Sequence, residues 1–199
     1  MTNLIWKKRG FIFNTSGNFG WMNSHAQIPT VLPLKNIFRV YFSTRSVNDE
    51  SKTACLDLSA KNPKKILKIY KKEVIKKGEE GTFDEHGIMP SSVIYTSNKK
   101  VYLYYSGWSR KKSVPYSNLS GLAILDKKNN EKSFKKIGKG PVLSLKSNEP
   151  FSATSPFIYQ EKKMFYAFYC SGTGWHKLNN KYEHVYDIKM ATSKDGIKW

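Results

Sequence analysis

Tyr102-Leu103-Tyr104-Tyr105-Ser106-Gly107-Trp108 is an aromatic, strand-like run that ends in small polar residues, and the chain repeats its pattern twice more. Arg39-Val40-Tyr41-Phe42-Ser43 precedes it and Tyr166-Ala167-Phe168-Tyr169-Cys170-Ser171-Gly172 follows it, which spaces Phe42, Tyr105 and Tyr169 by 63 and then 64 residues. A proline stands ahead of each run: Pro29, Pro90 and Pro156 lie 13, 15 and 13 residues before those three aromatics. A second apolar stretch follows each run, around Ala54, Ala123 and Ala191, at intervals of 69 and 68. Self-similarity on this scale is the signature of an array of like supersecondary units. Here the units are β-sheet.

Each unit reads as four short strands. In the second, Met89 to Tyr95 is an apolar inner strand, Asn98-Lys99-Lys100 a polar turn and Val101 to Tyr105 the next strand. Alternation puts Val101, Leu103 and Tyr105 on one face and Tyr102 and Tyr104 on the other. Ser106 to Ser120, rich in Ser, Pro and Asn, reads as a long loop. Gly121 to Leu125 is the third strand, Asp126 to Lys132 a turn, and Phe134 to Ile137 and Pro141 to Leu145 close the unit. The third unit ends Ala191-Thr192-Ser193-Lys194-Asp195-Gly196-Ile197-Lys198-Trp199, a strand, an Asp-Gly turn and an aromatic that begins the outer strand. Asp-Gly supplies the positive φ of a tight hairpin. Only Pro63 to Lys77 has helix-like spacing, and its parallel with Pro141 to Leu145 favours strands there.

Four-stranded sheets repeated around an axis form a β-propeller. The period exceeds the roughly 40–50 residues of WD40 and kelch units, so the blades are large. The expected fold is all-β: one propeller domain over 1–199, with blades at about 25–80, 84–147 and 149–199 and a segment, 1–24, placed to complete the last blade. Rings typically close with about four to eight blades, so three read as the amino-terminal part of a longer propeller. Five blades at this period would need roughly 315 residues.

Composition narrows the function. No stretch approaches the roughly 18 apolar residues of a membrane helix, and Met1 to Arg9 holds no apolar segment long enough for a secretory signal. Cytoplasmic residence is the default expectation. Cys55 and Cys170 match no metal or redox spacing and sit in apolar strand contexts, as buried free thiols do. His86, His176 and His184 form no recognisable metal spacing, so no metal or other cofactor is expected. The net charge of +19 invites a nucleic-acid reading, yet only four of the 34 basic residues are arginines: Arg9, Arg39, Arg45 and Arg110. Phosphate and base-edge readers lean on arginine for its bidentate fork. The lysines cluster in turns and outer strands, Lys61 to Lys77 and Lys127 to Lys139, as a solvated face does. No specific nucleic-acid partner and no membrane partner is expected, and oligomeric state is left open.

The innermost strand of a propeller blade begins near the central axis, so its first residues face a shared polar cavity. Those positions are held by His25, Asp84 and Glu149, with Asp84 six residues before Pro90 and Glu149 seven before Pro156. Two carboxylates brought together from separate blades suit glycoside hydrolysis: one protonates the leaving oxygen and the other acts as base or nucleophile. Trp21, Trp108, Tyr116 and Trp175 are expected on long inner loops, where flat rings beside amides and hydroxyls such as Asn118 suit the C–H faces and polar edges of a pyranose. Arg45 and Arg110 leave the same strand ends and could meet a carboxylate or phosphate on a substrate. The alternatives are ordinary: turn caps and lysine partners for the acids, packing between blades for the tryptophans.

The Pro-Ser and Ser-Pro inner strands, the Tyr-Tyr-Ser-Gly-Trp run and the Ser-Lys-Asp-Gly-Ile-Lys-Trp ending resemble the five-bladed propeller glycosidases, glycoside hydrolase families 32, 43, 68 and 130 and their uncharacterised bacterial relatives. The resemblance covers most of the chain from about His25 onward. It implies a saccharide substrate, an aspartate base or nucleophile on blade one, an aspartate on blade two and a glutamate acid on blade three. Carried over by position, Asp84 is the second-blade aspartate and Glu149 the third-blade glutamate. The first position departs from the pattern, with His25 and nearby Asn23 in place of an aspartate. Hydrolysis with His25 as base, phosphorolysis, glycosyl transfer and glycan binding without turnover all remain open on these residues.

Overall fold

The computed structural model describes residues 4–15, 19–126 and 133–199, and within them the chain is all β, with no helix. Eleven strands run in chain order. The first group is β1 (Ser24–Pro33), β2 (Ile37–Arg45), β3 (Ser51–Ser59) and β4 (Ile66–Ile69). The second is β5 (Gly87–Tyr95), β6 (Val101–Arg110), β7 (Tyr116–Leu125) and β8 (Phe134–Lys136). The third is β9 (Ala153–Glu161), β10 (Met164–Leu178) and β11 (Lys181–Ser193). Each group is an antiparallel meander, and single parallel bridges join them, Ser51 to Gly87 and Leu119 to Ala153. The result is one curled sheet in the order β1-β2-β3-β5-β6-β7-β9-β10-β11, with β4 on β3 and β8 on β7. Most of the turn expected at Asp126 to Lys132 lies outside the described residues, as do parts of the 1–24 segment.

Period-two alternation explains how the meanders stack. Val101, Leu103 and Tyr105 of β6 share a buried cluster with Leu32, Tyr41 and Cys55 of the first meander. Tyr102 and Tyr104, on the opposite face, join Ile158, Phe165 and Tyr169 of the third. β6 is therefore covered on both faces, which is why its burial is nearly continuous. Leu103 is fully enclosed, and its truncation to alanine would cost about 2–5 kcal/mol. On the far side of the first meander, Met22, Val40, Phe42 and Leu56 form a third cluster with Phe13 and Phe19. Arg39 and Tyr41 share the opposite face of β2 from Val40 and Phe42. Arg39 is turned to a buried fork with Asp57, its cross-strand partner, at 2.8 and 3.0 Å, and Tyr70 also donates to Asp57 at 2.7 Å.

The three recurring prolines have a structural reason. Proline cannot donate to a ladder, so it sits at sheet edges and bulges. Each innermost strand is irregular beside its proline: β1 between Gln27 and Thr30, β5 between Pro90 and Ser92, and β9 opposite the step from Phe168 to Cys170. Ile28 and Ser155, each directly before a proline, take positive φ of 52° and 53°. The strained Ser155 is held from the neighbouring meander, its N–H donating to Ser106 Oγ at 2.9 Å.

Two sequence expectations are corrected. Ser106 to Ser120 is not a long loop: β6 and β7 stay in unbroken register to Arg110 and Tyr116, leaving only residues 111–115 for the turn. The polar residues there are strand residues whose hydroxyls serve neighbours, such as Ser120 Oγ donating to the Ala153 carbonyl at 2.8 Å. Pro141 to Leu145 is not a strand; one isolated bridge joins it to the sheet, between Ser120 and Leu143, and Leu143 is buried in the second cluster. The Asp-Gly turn does form. Gly196 has a φ of 73°, and the Asp195 carboxylate accepts from the N–H groups of Ile197 and Lys198 at 2.8 and 2.9 Å. Trp199 then packs edge-on against Tyr104. Both cysteines are free; Cys55 is buried and Cys170 only half-buried.

Candidate functional site

The strands β1, β5 and β9 all begin at the end of the sheet where β2 and β6 finish with Arg45 and Arg110 and where β7 starts with Tyr116. Between the first two meanders, at that end, lies a cavity of about 450 Å³ lined by Arg45, Asp49, Met89, Trp108, Arg110, Lys111, Pro115, Tyr116 and Asn118. Trp108 and Asn118 are direct cross-strand partners, as are Arg110 and Tyr116, so the β6–β7 ladder itself sets their spacing. The Trp108 indole N–H donates to Ser51 Oγ at 3.1 Å, which pins the ring against the first meander. The guanidinium carbons of Arg45 and Arg110 lie 5.8 and 5.9 Å from the Trp108 ring centroid, within cation–π range. Arg45 also reaches Asp49 Oδ1 at 3.0 Å, and Arg110 donates to the Asn48 carbonyl at 3.4 Å. The side-chain oxygen of Asn118 is buried with no hydrogen-bond partner, a state that costs about 1–3 kcal/mol and is relieved by any donor that enters.

An aromatic strip continues from this cavity into the third meander. Tyr116 meets Trp175 edge-on at 4.9 Å, and Trp175 stacks on its cross-strand partner His184 at 4.4 Å. Burial pushes the Tyr116 hydroxyl up and lowers the His184 imidazole, which keeps both neutral near pH 7. Arg45, Trp108, Tyr116 and Asn118, four of the expected binding residues, are thus brought together, with Trp175 joined to them through Tyr116. The rings stand on strands, not on loops, and Trp108 is buried at 9% exposure. Trp21 is elsewhere: its N–H donates to the Lys71 carbonyl at 3.0 Å and its ring stacks on Phe19. His25 is an exposed β1 residue with a φ of 64°, its Nδ1 2.8 Å from Ser24 Oγ.

The two carboxylates occupy matching settings. Asp84, at 1% exposure, accepts from the Tyr105 hydroxyl at 3.1 Å and from Thr82 Oγ1 at 3.1 Å, and it forms an ion pair with Lys136 of β8. Its Cβ lies where any side chain at Gly107 would have to go, which is why that position beside Trp108 is glycine. Asp84 also lines a second cavity of about 570 Å³ with Lys77, Glu79, Lys136 and Lys139. Glu149, at 6% exposure, accepts from the Tyr169 hydroxyl at 2.8 Å and Ser171 Oγ at 2.9 Å, with Lys189 Nζ at 3.8 Å. Burial raises its pKa, but the two hydroxyls and the nearby Lys189 and Lys146 outweigh it and hold the carboxyl below the usual range. The free protein therefore presents Glu149 as a carboxylate, a form suited to a base or nucleophile.

Tyr105 and Tyr169, the same two residues that marked the repeat, are thus the donors to Asp84 and Glu149, over intervals of 21 and 20 residues. Sequence reasoning noted the interval between the tyrosines but not that each holds an acid. In the first meander Phe42 has no hydroxyl to give, and the residue 20 before it is Met22, fully buried in the Phe42 cluster. By the Glu149 interval Met22, and not His25, stands in this place in the first meander. Ser51, His86, Met89 and Lys111 around Trp108 carried no signal in the sequence, because their nearness depends on contacts between meanders.

Comparison with known proteins fits this architecture. No family model matches the chain. An uncharacterized protein found in two strains of Mycobacterium tuberculosis is 32% identical over 197 residues, spanning 98% of this chain. The chain spans 64% of the length of those curated relatives. Among solved structures, a glycoside hydrolase superposes with a TM-score of 0.69 at 11% identity, covering 96% of this chain and 58% of that one. A family 117 glycoside hydrolase of Zobellia galactanivorans gives 0.65 at 20% identity, covering 97% and 50%. A thermostable family-43 glycoside hydrolase gives 0.60 at 17% identity, covering 89% and 54%. The chain has the propeller-like, all-β fold of these glycoside hydrolases.

Proposed function

We propose that the chain is a carbohydrate-active protein of the glycosidase-propeller type, with its saccharide seated at the Trp108 cavity and a glycosidic bond as the reacting group. The observation that carries this reading is the convergence of Trp108, Tyr116, Asn118, Arg45 and Arg110 in one cavity of about 450 Å³ at the end of the sheet where the innermost strands begin. That volume suits one or two sugar rings. Tyr116 offers a face for ring C–H groups, and the unpaired Asn118 oxygen and the guanidinium donors serve hydroxyls. Five blades and a ring completed by further sequence belong to the same reading.

Within it, Asp84 and Glu149 are the carboxylates of the reaction; neither lines the Trp108 cavity, so the scissile bond lies outside it. They come from matching places in consecutive meanders, and Glu149, already ionised, takes the base or nucleophile role and not the acid role that position alone suggested. Glu149→Gln keeps shape and hydrogen bonds while removing the negative charge, so it should lower turnover of a cleaved glycoside by about two or more orders of magnitude with little loss of folding. Equal turnover by wild type and variant would remove Glu149 from the chemistry.

A second reading, glycan binding without turnover, is favoured by a specific observation. Asp84 is closed off by Tyr105 and Lys136, and the matching place in the first meander is the apolar Met22. Saccharide binding that quenches tryptophan fluorescence, is lost in Tyr116→Ala and is unaltered in Glu149→Gln, with no product formed, would establish that reading over hydrolysis.

A further inference from the structure

The charge at the Trp108 cavity is lopsided. Arg45, Arg110 and Lys111 line it against a single carboxylate, Asp49. Both guanidiniums sit within 6 Å of the same indole, one from each of the two meanders that frame the cavity. Among the described residues Arg110 has no carboxylate partner, only the long contact to the Asn48 carbonyl at 3.4 Å. Arg45 has Asp49, but that side chain is 70% exposed, so the pair is worth little and yields readily to a better anion. Two of the four arginines in a chain of 34 basic residues meet here. A general lysine bias of the surface does not account for arginines placed in one cavity.

We infer that the saccharide taken at this cavity carries an anionic group, a carboxylate, sulfate or phosphate ester, gripped by Arg110 and Arg45 while its ring lies against Tyr116. This rests on the carbohydrate reading above and names the substrate class of that same site. The planar guanidinium fork matches a two-oxygen anion, and stacking against Trp108 holds the fork in place before the ligand arrives. A neutral sugar would leave Arg110 without a counter-charge and Arg45 with only the exposed Asp49. The Asn118 oxygen accepts from a ring hydroxyl, so the site reads the sugar as well as the charge.

The test is calorimetric titration of the whole chain, with tryptophan fluorescence alongside, at moderate salt. The probes are digalacturonate, glucose 6-phosphate and glucose 6-sulfate, compared with glucose, galactobiose and inorganic phosphate and sulfate. At least one charged sugar should bind about tenfold or more tightly than its neutral counterpart, as one charge-assisted bidentate contact implies. The three charged arms tell a uronate from a phosphate or sulfate ester. Arg110→Gln and Arg45→Gln should each weaken that binding about tenfold, and Arg110→Lys, which keeps charge but loses the fork, by a smaller factor. Melting curves of each variant exclude misfolding, and Lys68→Gln, a lysine removed from the β4 strand, should change nothing. Neutral sugars that bind as well as charged ones, indifferent to the arginine variants, would overturn this inference and leave the carbohydrate reading standing. Inorganic phosphate binding as tightly as glucose 6-phosphate, or an equal loss in Lys68→Gln, also overturns it. If no saccharide binds at all, both fall.

Discussion

Asp84 and Glu149 hold matching places in neighbouring meanders, each reached by the hydroxyl of the repeat tyrosine, yet their surroundings differ. Asp84 is shut in by Tyr105 and an ion pair with Lys136, at 1% exposure. Glu149 rests on two hydroxyls, and its nearest lysine nitrogen is 3.8 Å away. Asp84 is thus tied to the second meander's outermost strand, while Glu149 is held ionised by the middle strand of its own. A carboxylate paired with a full opposite charge must give that partner up before it acts on a substrate. One held chiefly by hydroxyls, with its nearest lysine nitrogen at 3.8 Å, keeps more of its charge free to act on something else. The first meander makes the point a third way, filling the place with Met22 and dispensing with the polar pair.

Breaking the contrast at its stronger end should give the largest effect. Asp84→Ala releases Lys136 and leaves the buried Tyr105 hydroxyl without its acceptor, and the cost should be about 1–3 kcal/mol in a denaturant melt. A loss under about 1 kcal/mol would mean that the ion pair is open to water. Asp84→Met combined with Tyr105→Phe copies the first meander, and since Lys136 can turn to solvent it should recover most of that loss. A double variant as unstable as Asp84→Ala would show that the two places are not equivalent. Glu149→Gln should cost less, about 1 kcal/mol, because both hydroxyls donate to Oε2, whose place the amide oxygen can take.

Smaller effects sharpen the comparison. Tyr169→Phe removes a donor from Glu149, so about 1 kcal/mol of stability should go and the Glu149 pKa should rise in an NMR titration. Last comes pH. The Glu149 pKa is lowered by folding, so its contribution is fully present above the unfolded carboxyl value, about 4.3, and is lost as pH falls through the folded value. Stability should therefore drop with acid below about pH 4.3, and Glu149→Gln should flatten part of that slope. An unchanged slope would assign the acid sensitivity to other carboxylates, such as Asp195 with its backbone donors.

Much of the sheet was legible because strand alternation is a local property. Val101 to Tyr105 announced which side chains share a face, and the two faces are buried in different clusters. The prolines were legible as markers, though their reason, bulges in the innermost strands, was not. Ser106 to Ser120 misled for a physical cause: serine, asparagine and proline favour turns locally, but here cross-strand pairing and neighbour-directed hydroxyls outweigh that preference. The candidate site was half legible. Arg45, Trp108, Tyr116 and Asn118 stood out by type, and Trp108 with Asn118 is joined by one ladder. Arg45 reaches them only through the packing of one meander on the next. Trp21 failed for the same reason, since its fate was set by Phe19 and Lys71 rather than by its own spacing.

By itself the sequence determined that this chain is all β, built of aromatic strands at a period of about 63 residues, with acids placed ahead of the innermost strands of the second and third meanders. Those properties depend on alternation and spacing, which a linear chain carries. Only the tertiary structure decided that Asp84 is locked while Glu149 is held ionised, that Met22 takes the third place, and that two scarce arginines meet over one indole. Charge, burial and hydrogen-bond partners come from groups far apart in the chain, and their energies exist only once the meanders are packed together.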